Sequence, residues 1–229
     1  MDKKILREWL RARQLVYHLL ARLYQDGPVK GVLAALAQEG FLGELAASID
    51  NPTLVAGCRQ MQAELVARHG ELDEYQQELQ EEYNRLFVGP GHLEAPPWES
   101  VYRSKERLLF GEETLAVREF YRSFGLESRN KGKEPDDHAG LEMEFMAHLS
   151  EAAADRVLEG EDINDLLEGQ DRFLAEHMQQ WLPALCRDME QAARTDFFRG
   201  LALLTRGWME ADAAELKMVL AEVKEGRDG

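Results

Sequence analysis

The sequence predicts an all-α protein of about ten helices. Apolar residues recur at spacings of three and four through most of the chain, and nothing alternates with period two long enough to make a strand. No repeat of roughly 20 to 50 residues marks a solenoid. With 229 residues, 45% of them hydrophobic, the chain is long and apolar enough to bury a real core. The expected organisation is one helical domain in two packed halves, 1–127 and 137–229, joined by a hinge loop at 128–136.

The first helix is read from Ile5, Trp9, Ala12, Val16, Leu19, Leu20 and Leu23, which share one face at helical spacing. Pro28 and Pro52 stand where a first helical turn tolerates proline, and Gly27, Gly40 and Gly70 punctuate helix ends. Leu72, Tyr75, Leu79, Tyr83, Leu86 and Phe87 form the next stripe, which "VGPG" at 88–91 stops. The stretch "EAPPWESVY" at 94–102 follows. Neither proline donates a backbone hydrogen bond, and Pro97 pushes Pro96 out of the helical region, so the chain runs extended there.

Helical spacing returns through Leu108, Leu115, Phe120 and Phe124, and "ESRNKGKEP" at 127–135 breaks it with charge, Gly132 and Pro135. Leu141, Phe145, Leu149, Ala152 and Val157 then form a stripe that ends before Gly160. Phe173, His177, Trp181 and Leu182 belong to one further segment, Pro183 starts the next, and Phe197, Leu201, Leu204, Trp208, Leu216, Val219 and Val223 mark the last helices.

A net charge of -16 disfavours nucleic-acid backbones and anionic lipid and favours a cationic partner. Two cysteines, Cys58 and Cys186, build no disulfide framework and match no zinc spacing, which suits a reducing cytosol. The N-terminal segment leads into no apolar signal region, and no run reaches the ~18 apolar residues a transmembrane helix needs. The expectation is a cytoplasmic protein without a membrane span.

Enzymatic motifs are sparse. The sequence holds no Glu-x-x-His pair, no His-Glu-x-x-His, no Walker A loop and no Gly-x-Ser-x-Gly elbow. His138 with Glu142, and Glu144 with His148, stand four apart on helical faces, and each pair offers only two ligands to a metal. Asp136 and Asp137 open a helical stripe just after Pro135, where a carboxylate is expected to cap the first turn of the helix that follows.

The segments "LFVGPGHLEAPPWESVY" at 86–102, "EPDDH" at 134–138 and "FLAEHMQQWLPALCRDMEQAA" at 173–193 together resemble the signatures of the TorD-like family of cytoplasmic chaperones for molybdenum-cofactor enzymes, which includes the DmsD type. The resemblance runs from residue 72 to about residue 198. It implies a compact TorD-like fold with no catalytic centre, no cofactor and no metal.

The implied function is to bind the twin-arginine signal peptide, and the folded body, of a dimethyl sulfoxide or trimethylamine N-oxide reductase type of molybdoenzyme before export. The protein is then a monomer or a domain-swapped dimer and not an enzyme. The residues that match positions implicated in client binding are Pro97, Trp98, Pro135, Asp137 and His138; Trp181 and His177 look like scaffold. Glu99, Glu134, Asp136 and Asp137 are the carboxylates expected to meet the peptide's arginines, with Trp98 and Tyr102 as large, low-entropy contacts. One departure is Ala139, where the family often has a larger aliphatic residue. The reading from another class is a helical metal-dependent hydrolase using Asp137 and His138.

Overall fold

The computed structural model describes residues 1–38, 40–104, 108–128 and 134–225. The chain folds as α1 (Lys3–Gln25), α2 (Lys30–Ala37), α3 (Phe41–Ser48), α4 (Pro52–Ala67), α5 (Leu72–Tyr83), α6 (Glu99–Arg103), α7 (Glu112–Ser123), α8 (Ala139–Glu159), α9 (Asn164–Phe173), α10 (Gln179–Ala192) and α11 (Asp196–Glu225). A single 3-10 turn, His69–Glu71, precedes α5, and π-helical turns at Asn84–Val88 and Leu174–Met178 end α5 and join α9 to α10. The fold is all-α, and no strand occurs among the described residues.

Two compact units form, one from Met1–Gln25, Trp98–Trp181 and Asp212–Gly229, the other from Asp26–Pro97 and Leu182–Ala211. Their boundaries fall between 25 and 26, 97 and 98, 181 and 182, and 211 and 212, not within 128–136. Of the expected hinge loop, residues 129–133 lie outside the described residues.

In the first unit α1 packs along α8. The approach is closest at Gly140, where a Cβ would stand 3.0 Å from the Ala21 carbonyl and would overlap the Gln25 side chain. The face α1 buries is Leu6, Leu10, Arg13, Val16, Tyr17 and Leu20, whereas Ile5 and Ala12 are exposed. The stripe read from the sequence is therefore turned by about one residue. The cause is Arg13, which no hydrophobicity pattern assigns to a core.

Arg13 is 1% exposed and donates from Nε to Asp212 Oδ1 at 2.5 Å and from a terminal nitrogen to Asp212 Oδ2 at 2.9 Å. Its other terminal nitrogen reaches Gln170 Oε1 at 2.5 Å, and Tyr17 Oη donates to Asp212 Oδ2 at 2.6 Å. One guanidinium thus ties α1, α9 and α11 together. Burial works against its charge, yet Asp212 and Tyr17 outweigh it and hold the pKa above the ordinary arginine value.

The second unit contains α2 to α5. Asn51 caps α4 by accepting from Leu54 N at 3.0 Å, with Pro52 in the first turn as the sequence predicts. Glycines bring α4 and α11 almost into backbone contact: a Cβ on Gly57 would stand 2.6 Å from the Gly200 carbonyl, and one on Gly200 would stand 2.9 Å from the Gly57 carbonyl. Cys58 and Cys186 are buried free thiols, and burial pushes each pKa up to about 12, so neither is poised to react.

Two expectations about helix ends are corrected. Pro183 does not start a helix but lies inside α10, just downstream of the π-helical turn that has already offset the backbone ladder. The segments marked by Phe197 through Val223 form one continuous 30-residue helix, α11, and not several.

Candidate functional site

The segments 98–103 and 134–142, both in the first unit, meet as an isolated antiparallel bridge between Trp98 and His138. Glu99 N donates to the Asp137 carbonyl at 3.0 Å, and the Trp98 and His138 rings pack edge to face at 5.8 Å. Trp98 holds an extended backbone, φ -128 and ψ 133, and α6 begins at the next residue.

Asp137 is fully buried, and it does not cap α8 as the sequence reading expects. Its Oδ2 accepts from Ser100 N at 2.8 Å, so it caps α6 from across the bridge, and its Oδ1 accepts from Thr114 Oγ1 at 2.8 Å. The cap of α8 is His138, whose Nδ1 accepts from Gly140 N at 3.1 Å. Burial pushes the His138 imidazole down to about 4, so it is neutral near pH 7, as an accepting Nδ1 requires. Asp136 is buried against Arg118, with Nε at 2.8 Å, and its carbonyl accepts from Tyr121 Oη at 3.0 Å.

Beneath the bridge lies a buried polar centre. Glu99 has no exposed surface; Arg103 donates to its Oε1, and His177 Nδ1 lies 3.0 Å from its Oε2. Glu142, equally buried, accepts from Trp181 Nε1 at 3.0 Å through Oε2. Its Oε1 finds no hydrogen-bond partner among the described residues. Burial first, and the charge of Glu99 second, push the Glu142 carboxyl well above its ordinary range.

The expected client-binding residues therefore differ in position. Trp98, Glu99, Glu134, Pro135, Asp137 and His138 come together around the bridge, and Tyr102 packs on Trp181 with ring centroids 5.6 Å apart. Pro97 is buried in the second unit. The carboxylates of Glu99, Asp136 and Asp137 bond inward, to His177 and Arg103, to Arg118, and to Ser100 and Thr114 respectively.

Glu134 is half-buried, accepts from Trp98 Nε1 at 2.7 Å, and is pushed upward in pKa by burial against the opposing effect of that bond. Trp98 is likewise only partly buried. Thr114, Arg118 and Tyr121, none of them singled out from the sequence, bind the "EPDDH" segment from α7. They stand at spacings of four and three on one face, but nothing in a sequence says which loop that face will meet.

No group of three or more His, Cys, Asp or Glu side chains among the described residues is arranged to hold a metal ion. Asp137 directs both oxygens to protein donors, and His138 directs Nδ1 to a backbone amide. The donor set that a hydrolase built on these two residues needs is not assembled here. No helix among the described residues is long and apolar enough to cross a membrane.

Fold and site together describe an all-helical protein whose proline-tryptophan and aspartate-histidine segments are locked by backbone pairing. The chain belongs to the TorD-like family described as nitrate reductase delta subunit, whose sequence model matches residues 51–187. It is 33% identical over 130 residues to the probable Tat proofreading chaperone DmsD of Haemophilus influenzae, covering 57% of this chain and 58% of that one. Similar proteins include the Tat proofreading chaperone DmsD of Salmonella typhi, 31% identical over 131 residues and covering 57% and 58%. The chaperone protein TorD of Vibrio cholerae is 28% identical over 137 residues, covering 60% and 61%. The matched stretch thus spans about three fifths of each of these relatives.

Proposed function

We propose that this protein is a chaperone that binds the twin-arginine signal peptide of a molybdenum-cofactor oxidoreductase, of the dimethyl sulfoxide or trimethylamine N-oxide reductase type, and assists its maturation before export. The observation that carries the reading is the family match over residues 51–187, which includes both motif segments. Relatives named as chaperones support a binding role and not a catalytic one. A client met before export places the work in the cytoplasm.

Around the bridge, Trp98 and Glu134 offer partly exposed surface, while Pro135, Asp137 and His138 fix the backbone that presents it and Glu99 and Tyr102 hold α6 in place. A net charge of -16 complements a cationic peptide. Calorimetry with a synthetic twin-arginine signal peptide tests the reading. Binding near 1 μM, about -8 kcal/mol, that weakens with salt is expected. No binding to any signal peptide from the molybdoenzymes of the source organism would overturn it.

A further inference from the structure

Where the end of α7 meets the flank of α8, the first unit carries a cleft of about 320 Å3. That is the small end of the range for ligand pockets, ~300–1,000 Å3, and suits side chains better than a cofactor. Tyr121, Leu141 and Phe145 line it with apolar surface, and each is buried; the Tyr121 and Phe145 rings lie 4.7 Å apart. Glu127 and Glu144 stand on its rim.

The two rim carboxylates differ from those around the Trp98 and His138 bridge. Glu144 is exposed and accepts from Gln25 Nε2 at 3.2 Å, a neutral donor that leaves the charge in place. Glu127 lies 3.5 Å from Arg122 Nε with both side chains nearly half exposed, so it adds negative charge to the rim beside Glu144. Glu99, Asp136 and Asp137, by contrast, direct their oxygens inward. The spacing of Glu144 and His148, which offers no metal site, falls on the wall of this cleft.

We propose that this cleft seats one arginine or lysine of the client's signal peptide, together with the apolar residue beside it. The proposal rests on the chaperone reading and names a subsite for it. A long cationic side chain lays its methylenes over Tyr121, Leu141 and Phe145 and brings its head to Glu144 and Glu127, the geometry that amphipathic side chains favour. The cleft also joins the motif. Tyr121 Oη donates to the Asp136 carbonyl at 3.0 Å, so a side chain resting on that ring lies one hydrogen bond from the 134–138 segment.

The test is calorimetry on the full chain with two synthetic peptides, one carrying the twin-arginine region and the apolar segment after it, the other with both arginines replaced by glutamine. Glu144→Gln should weaken the first peptide by about tenfold and Glu144→Lys by up to about a hundredfold, as expected for losing or reversing a charge-assisted contact. Against the glutamine peptide, both variants should match the unaltered protein within about twofold. Melting should not change, because Glu144 is exposed.

Arginine-peptide affinity unaffected by Glu144→Lys, or equal losses on both peptides, overturns the assignment of this cleft while leaving the chaperone reading intact. Failure of the unaltered protein to bind either peptide overturns both.

Discussion

Glu142 and Glu99 are both fully buried in the first unit, and the charge of Glu99 opposes ionisation of Glu142, with Trp181 donating to Glu142 and His177 and Arg103 bound to Glu99. The raised pKa of Glu142 makes stability depend on pH. The folded pKa is raised above 4.5, so the contribution is complete below about pH 4.5 and is lost as pH rises through the folded value. Thermal melts of the wild type should therefore carry a component that falls as pH rises above about 4.5. Glu142→Gln keeps the acceptor for Trp181 but cannot titrate, and it should flatten that fall; an unchanged slope in the variant rules out the Glu142 proton as its cause.

His138 produces the opposite limb. Its folded pKa of about 4 lies below the ordinary 6.5, so the unfolded chain binds the extra proton and stability drops as pH falls from 6.5 to 4. The full effect is on the order of 3 kcal/mol. As pH rises from about 4.5 toward 6.5 the two groups act in opposite directions in the wild type. The acid limb should thus emerge over that interval in Glu142→Gln and vanish again in a Glu142→Gln, His138→Gln double variant, as read by urea midpoints at each pH.

Asp137 distinguishes a structural from an electrostatic role. Asp137→Asn can still accept from Ser100 N while donating to the Thr114 hydroxyl, so it should cost less than about 1 kcal/mol. Asp137→Ala strands both groups in the interior and should cost about 2–4 kcal/mol. Because the carboxylate points inward, Asp137→Asn should also keep peptide affinity within about threefold. A drop of tenfold or more at unchanged stability assigns Asp137 a direct part in binding an arginine.

The glycine crossing of α4 and α11 predicts a contrast between two identical substitutions. Gly57→Ala places a methyl against the Leu204 and Gly200 backbone and should cost about 1–3 kcal/mol, a melting drop of roughly 3–10 °C for a chain of this size. Gly31→Ala, on exposed α2 with nothing within 4 Å of its Cβ, should stabilise by about 0.5–1 kcal/mol. Equal melting of the two variants contradicts close packing at that crossing.

Periodicity made the helices legible, and the "VGPG" stop, Pro52 in the first turn of α4 and the Gly160 terminus stand where the residues predict them. What it missed has one physical origin: a polar group satisfied by a distant partner. Arg13 reads as surface until Asp212 is placed beside it, and that error turned the face of α1. Asp137 reads as a local cap because sequence shows only neighbours along the chain, while its donors come from Ser100 and Thr114. The structure pairs the 94–102 and 134–138 segments, but which carboxylates face inward depends on pairings between residues far apart in the chain, such as Ser100 with Asp137 and His177 with Glu99.

The Arg13 and Asp212 pair also sets a timetable for synthesis. The two residues are 199 positions apart, so translation delivers the Arg13 guanidinium well before its counter-charge. At ~5–20 residues per second that interval is roughly 10 to 40 s. The pair can form only after everything between α1 and Asp212 has been made, so it is a late contact in synthesis while the packing of α1 on α8 needs a much shorter length of chain.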